Sequence, residues 1–119
     1  MDVPDASLMK LVTATVPVHV LDDLRETLLS IGIKGMMISP ARGQPAGDMD
    51  AAFDRFRFSV FRNERLIVIE TVVSTAIVDE VVDAISAACN ETASISVPIL
   101  VSDVMLGVRI RNAELVTEG

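Results

Sequence analysis

The chain has 119 residues, of which 50% are hydrophobic and 23% are charged, and its net charge at neutral pH is -7. This length and composition predict one globular domain, while the acidic balance and the absence of Trp and Tyr argue against nucleic acid as a partner. The mean hydropathy of +0.49 is high, yet no uncharged run reaches the roughly 20 residues of a membrane span. We therefore expect no direct membrane insertion and attribute the excess apolar content to a subunit interface.

The first eight residues are acidic and lack an apolar core, so they predict a flexible leader rather than a signal peptide. The sequence contains one cysteine, Cys89, and one histidine, His19. One cysteine excludes an internal disulfide and a cysteine-cluster metal site. The single cysteine and single histidine predict a cytoplasmic protein without a metal site. Because no pair of nucleophile and base can be identified, we also expect that the protein is not an enzyme.

The first half of the domain reads as strand, helix and strand. Residues 10–18 alternate with a period of two and predict a strand. The helical spacing of Leu21, Leu24, Leu28 and Ile31 predicts a helix, with acids in its first turn and Gly32 at its end. A second strand is predicted from Met36 to at least Ser39.

The second half begins after a long loop that is rich in glycine, proline and charge. Residues 55–60 could be a strand or a hairpin arm, and 65–73 are apolar on both faces, which predicts an interior strand. A helix capped by Ser74 or Thr75 follows. Residues 97–104 predict a further strand, 108–111 a short last strand, and 112–119 a tail. The buried stripe of the second helix would consist of Val78, Val81, Val82, Ile85 and Cys89.

This order predicts an α+β fold, the ferredoxin-like βαββαβ sandwich, in which a four-stranded antiparallel sheet carries two helices on one face. The domain would span residues 9–114 and leave 115–119 as a C-terminal tail. Because the first and third strands are apolar on both faces, the sheet face without helices needs a cover. We expect other copies of the chain to supply it, as a homo-oligomer.

Basic residues are concentrated in segments 42–65 and 109–111, and arginine outnumbers lysine eight to two. On a strand, Arg109 and Arg111 would project from one face. Two fixed positive charges there favour a bound anion between them, or acidic residues of a neighbouring subunit. For the central segment, anion contacts and surface salt bridges with nearby acids are equal alternatives.

Three stretches resemble the PII signal-transduction proteins. Residues 9–43 contain Leu-Asp-Asp at 21–23, Ile-Gly-Ile-Lys-Gly-Met at 31–36 and Arg-Gly at 42–43. Residues 66–85 resemble the third strand and second helix of that family. Residues 101–114 resemble its closing strand, with Asp-Val followed four residues later by Arg-Ile-Arg.

The resemblance implies a homotrimer that binds an adenine nucleotide (ADP, AMP or ATP) as an effector in clefts between subunits; a role for Mg is open. It also implies a T-loop, residues 44–63, that docks onto a membrane transporter or a metabolic enzyme in nitrogen or carbon metabolism. For Met36 and Met37, burial in the strand core is an equal alternative to a place in the pocket. The implied nucleotide or anion site comprises Thr15, Gly35, Met36, Met37, Gly43, Val72, Arg109 and Arg111. The implied partner-binding residues of the loop are Asp48, Asp50, Arg55 and Arg57.

The sequence departs from the family pattern at several positions. Segment 90–98 has no glycine and carries Pro98 where the family has a phosphate-binding lysine, which lowers the expected affinity for a triphosphate. Leu66 replaces the lysine that pairs with 2-oxoglutarate, so we expect weak or absent sensing of that acid. A chain without tyrosine cannot be modified by tyrosine uridylylation.

A second interpretation is a trimeric protein of the PII or CutA fold that has lost nucleotide binding. It would act as a scaffold, or bind another ligand such as bicarbonate, a cyclic dinucleotide or a metal. One histidine and one cysteine give a metal little support.

Overall fold

A computed structural model describes residues 8–41, 65–89 and 98–116. Several sequence predictions lie outside these residues: most of the leader, the whole of the T-loop-like segment 44–63, Gly43, and the end of the tail. Within the described residues, no helix is long and apolar enough to cross a membrane.

The chain forms four strands and two α-helices. Strand β1 (Met9–Pro17) leads through a short 3-10 turn (Val18–Val20) into helix α1 (Leu21–Ile31). Strand β2 is Met37–Ala41 and strand β3 is Leu66–Ser74. A second 3-10 turn (Thr75–Ile77) precedes helix α2 (Val78–Cys89), and β4 is Leu100–Asp103. The predicted ferredoxin-like βαββαβ order is confirmed.

Local chemistry sets where the helices begin and end. Gly32 ends α1 with φ of 121°, a conformation that side chains disfavour, and its N–H donates to the carbonyl oxygens of Leu28 and Leu29. Ser74 accepts a hydrogen bond from the Ala76 N–H at 3.3 Å and so caps the turn that leads into α2. Both boundaries match the sequence prediction.

The sheet is antiparallel with strand order β2-β3-β1-β4. The two central strands pair along their full length, from Met9 opposite Ser74 to Pro17 opposite Leu66. One of them, β3, corresponds to the strand at 65–73 that the sequence predicts to be interior, and both carry apolar side chains on the face that packs against the helices. Their central position is the arrangement that buries most of that apolar surface.

One face of the sheet packs against both helices and forms the core. Strand residues on this face include Val12 and Ile69, and the helices contribute Leu24, Leu28 and Ile85, all of them buried. Thr71 is buried on the same face, and its hydroxyl donates to the carbonyl oxygen of Gly35 at 2.6 Å. That bond satisfies a polar group that would otherwise be costly to bury.

The opposite face, which we call the open face, carries no helix among the described residues. The β1–β3 register puts Leu11, Val68 and Val72 on it, and all three are half-buried. The flanking strands add Met37 and Leu100, which are 73% and 57% exposed. The same register also puts Thr13, Thr15 and Glu70 on the open face, which therefore mixes apolar with polar side chains and is partly uncovered in a single chain.

The prediction of a last strand at 108–111 is wrong. Val108 makes one isolated bridge to Leu115, and residues 110–112 form a turn. The alternation of apolar and charged residues in this stretch imitates a strand, but a hydrogen bond from Ala113 N–H to the Arg109 carbonyl closes the chain into a turn. The other predicted strand of this region, at 97–104, is present in shorter form as β4.

Replacement of Leu28 by alanine tests the core directly. Leu28 is fully buried, so Leu28→Ala should lower the free energy of unfolding by about 2–5 kcal/mol through lost burial and a residual cavity. The matched control is the neighbouring Leu29→Ala, whose side chain is 49% exposed and should change stability by less than about 0.5 kcal/mol. Urea unfolding at one fixed protein concentration measures both, and equal losses would contradict the assigned helix face.

Candidate functional site

Arg109 and Arg111 lie in a hydrogen-bonded turn that follows β4. The N–H of Arg109 donates to the Glu114 carbonyl at 2.9 Å, and the N–H of Ala113 donates to the Arg109 carbonyl at 2.8 Å. A turn closed between residues four apart lacks the two-residue alternation of a strand. The argument that strand pleating puts both guanidinium groups on one side therefore does not apply.

Side-chain hydrogen bonds reinforce this turn. The Asn112 Oδ1 accepts from the Glu114 N–H at 3.1 Å, and the Asn112 Nδ2 donates to the Glu114 Oε2 at 3.2 Å. Sequence reasoning missed Asn112, although asparagine is a common turn residue because its side chain can bond the backbone two residues on.

The two arginines are exposed, and within 8–41, 65–89 and 98–116 no ion pair engages either guanidinium. The ion pair that the structure does show in these ranges joins Lys10 to Asp103, which are also register partners of β1 and β4. The acid at the end of β4 is thus already paired with a lysine. Two arginines on an ordered turn can offer bidentate hydrogen bonds to an anion.

The second group of candidate residues lies at the start of β2. Gly35 is tied to β3 by the hydroxyl of Thr71. Met36 packs against the core, whereas Met37 is 73% exposed on the open face. Burial in the core therefore accounts for Met36 but not for Met37.

Gly35–Met37 and the arginine turn (Arg109–Ala113) adjoin different edge strands: Gly35–Met37 leads into β2, and the turn follows β4. Met37, the first residue of β2, pairs with Glu70 in the middle of β3, whereas the turn begins six residues after β4 ends at Asp103. Strand β2 and strand β4 are the two edge strands. Three strand spacings of roughly 4.8 Å separate them by about 14 Å.

Thr15 and Val72 share the open face but not one location. Thr15 pairs with Val68, and Val72 pairs with Leu11. Four residues of strand put them about 13 Å apart along β3. Thr15 instead lies toward the end of the sheet where Ala41 and Leu66 are partners. Gly43 and the four loop candidates (Asp48, Asp50, Arg55 and Arg57) are outside the described residues.

Comparison with known proteins decides the family. A sequence model described as Nitrogen regulatory protein P-II matches residues 9–114. The chain belongs to this family. The resemblance to PII proteins is thereby confirmed, and the family is one of regulatory proteins.

Solved structures of PII proteins share the fold. Arabidopsis thaliana PII, solved bound to citrate, is 23% identical with a TM-score of 0.67, and the match covers 91% of this chain and 88% of that one. B. subtilis GlnK, solved as an ATP complex, is 18% identical with a TM-score of 0.72, and the match covers 93% of this chain and 96% of that one. At these identities the likeness establishes the ferredoxin-like fold.

The described residues of this PII-family chain give little support to a metal site or a reactive thiol. There, no group of three or more His, Cys, Asp or Glu side chains lies close enough together to hold a metal ion. Burial raises the pKa of the Cys89 thiol, which disfavours the reactive thiolate. The expectation that the protein is not an enzyme stays a prediction.

The raised pKa of Cys89 has a measurable consequence. The folded chain holds the thiol proton to higher pH than the unfolded chain, so this group lowers stability as pH rises above the pKa of the unfolded thiol. Alkylation by iodoacetamide, followed from pH 7 to pH 10, should reach half its maximal rate at a higher pH for the native protein than for the chain in urea. Coinciding pH profiles would contradict the assigned burial.

Proposed function

We propose that this PII-family protein is a homotrimeric regulator that binds an adenine nucleotide, ADP, AMP or ATP, in clefts between its subunits. Binding of the nucleotide would set the conformation of loop 44–63, which would dock onto a transporter or a metabolic enzyme. The observation that carries this proposal is the pair of exposed arginines in the turn that follows β4, an edge strand of a sheet whose open face has exposed apolar side chains.

The topology of one subunit favours a shared site. The arginine turn follows β4 and Gly35–Met37 leads into β2, and these two edge strands lie about 14 Å apart across the sheet. When copies cover the open face of one another, an edge of one sheet can approach the opposite edge of the next. A cleft between subunits would then combine Arg109 and Arg111 of one chain with Gly35, Met37 and Val72 of another.

The family supports a nucleotide, and the sequence bears on which one. B. subtilis GlnK was solved with ATP and Arabidopsis thaliana PII with citrate, so both are complexes with anionic molecules. In this chain, segment 90–98 lacks glycine and lysine. With fewer positive charges to neutralise phosphates, we propose that ADP or AMP binds at least as tightly as ATP.

The same sequence departure favours a second candidate function. Without a glycine-rich, lysine-bearing segment, the trimer could act as a scaffold or bind a smaller anion such as bicarbonate, or a cyclic dinucleotide. Isothermal titration with these ligands beside ADP, AMP and ATP separates the two functions. Heat from bicarbonate or cyclic di-AMP alone would favour the second.

Removal of one arginine tests the nucleotide site. Arg109→Ala should weaken ADP binding about 10- to 100-fold, because charge-assisted hydrogen bonds to phosphate are lost. Arg25→Ala is the matched control, since Arg25 is an exposed arginine on α1 and its loss changes net charge equally. Isothermal titration measures the affinities, and light scattering checks the assembly.

Two results would contradict this assignment. Equal ADP affinities of wild type and Arg109→Ala would remove Arg109 from the site. Dissociation of the Arg109→Ala assembly would instead make Arg109 an ion-pair partner between subunits, since a buried pair that loses one member costs about 3–5 kcal/mol.

A further inference from the structure

The arginine turn contains a residue in an unfavourable backbone conformation. Ala113 has φ of 55°, in the left-handed region that alanine rarely adopts. A turn of this kind persists when surrounding bonds determine it. Here one bond joins the Ala113 N–H to the Arg109 carbonyl, and the bonds of Asn112 bracket Ala113 from either side.

The amide of Asn112 makes two different contacts with Glu114. Its oxygen accepts from the backbone N–H of Glu114, and its nitrogen donates to the carboxylate of the same residue. The first contact forms an Asx turn that fixes the backbone between Asn112 and Glu114. The second contact engages the one acidic side chain within residues 104–116.

The carboxylate of Glu114 is chemically able to compete with an incoming anion for the guanidinium groups of Arg109 and Arg111. Glu114 lies three residues after Arg111, and its backbone carbonyl accepts a hydrogen bond from the N–H of Arg109. A carboxylate bound to a guanidinium would neutralise a charge that an incoming anion needs. In this structure the neutral amide of Asn112 binds the carboxylate, and neither arginine forms an ion pair with a residue in the described ranges.

We propose that Asn112 is a positioning residue for anion binding: it locks the Arg109–Ala113 turn and holds the Glu114 carboxylate on a neutral partner. The inference rests on the proposed function in one respect, that Arg109 and Arg111 bind the phosphates of the nucleotide. The lock on the turn is a property of the chain with or without a ligand.

The test uses the full-length protein, with ADP as the probe. Asn112→Ala should weaken ADP binding about 5- to 10-fold, the effect of losing one or two ordinary hydrogen bonds. Asn112→Ser retains a side-chain oxygen that can accept from the Glu114 N–H, so it should recover part of the affinity. In an Arg109→Ala background, Asn112→Ala should lose most of its effect, because the two residues act through one turn.

Amide hydrogen exchange provides a readout that does not depend on any ligand. In Asn112→Ala, the amides of Ala113 and Glu114 should exchange faster than in wild type, whereas amides of β1 and β3 should be unchanged. Unchanged exchange at both turn amides would overturn the lock. An ADP affinity of Asn112→Ala equal to that of wild type, or an equal loss with and without Arg109, would overturn the positioning role.

Failure of the proposed function gives a different result. If wild type binds no ADP, AMP or ATP, the nucleotide site is wrong and the role of Asn112 in anion binding falls with it. Faster exchange of the turn amides in Asn112→Ala would then still establish the lock.

Discussion

The structure depends on two adjacent central strands, β1 and β3, that carry apolar side chains on both faces. The helices cover one face, where Val12 and Ile69 are buried in the core. On the other face, Leu11, Val68 and Val72 are half-buried, and no helix of the described residues packs there. Each Å² of apolar surface removed from water contributes about 25 cal/mol, so covering the apolar side chains of this face is favourable, while Thr13, Thr15 and Glu70 on the same face need polar partners or water. We infer that other copies of the chain provide the cover.

Assembly would also explain why the candidate site is divided within one subunit. The arginine turn follows β4 and Gly35–Met37 leads into β2, and these are the two opposite edge strands of the sheet. A closed ring of subunits can bring an edge of one sheet to the opposite edge of the next. Ligand binding by this member of the P-II family would then depend on its oligomeric state.

Much of the fold could be predicted because the spacing of apolar residues along the sequence reflects which side chains are buried. The alternation in β1, the helical spacing of Leu24 and Leu28, and the stop at Gly32 all reflect local physics that the structure bears out. Periodicity failed at Arg109–Arg111, because after the bridge from Val108 to Leu115 the chain closes into a turn instead of continuing as a strand. Ala113 at positive φ and the side chain of Asn112 determine that turn, and neither leaves a periodic signal.

Less of the candidate site than of the fold could be predicted from the sequence, because a site depends on distances between residues that are far apart in the chain. Resemblance to the family pointed to Gly35, Met37 and Arg109, but the distances between them depend on strand order and on contacts between chains. Adjacent residues of an extended segment project to opposite sides, but the sequence does not show that Met36 is the one that packs on the core and Met37 the one that faces outward. The sequence does identify the charged side chains available for anion binding: Arg109 and Arg111 are present, and segment 90–98 has no lysine.

Coverage of the open face by other copies of the chain determines both the assembly and the shared site proposed above. The mass of the purified protein in solution, measured by light scattering during size-exclusion chromatography across a range of concentrations, tests this coverage. We expect a stable species of three times the 12.8 kDa of one chain. A folded protein with the mass of one chain at micromolar concentration would rule out coverage by other copies.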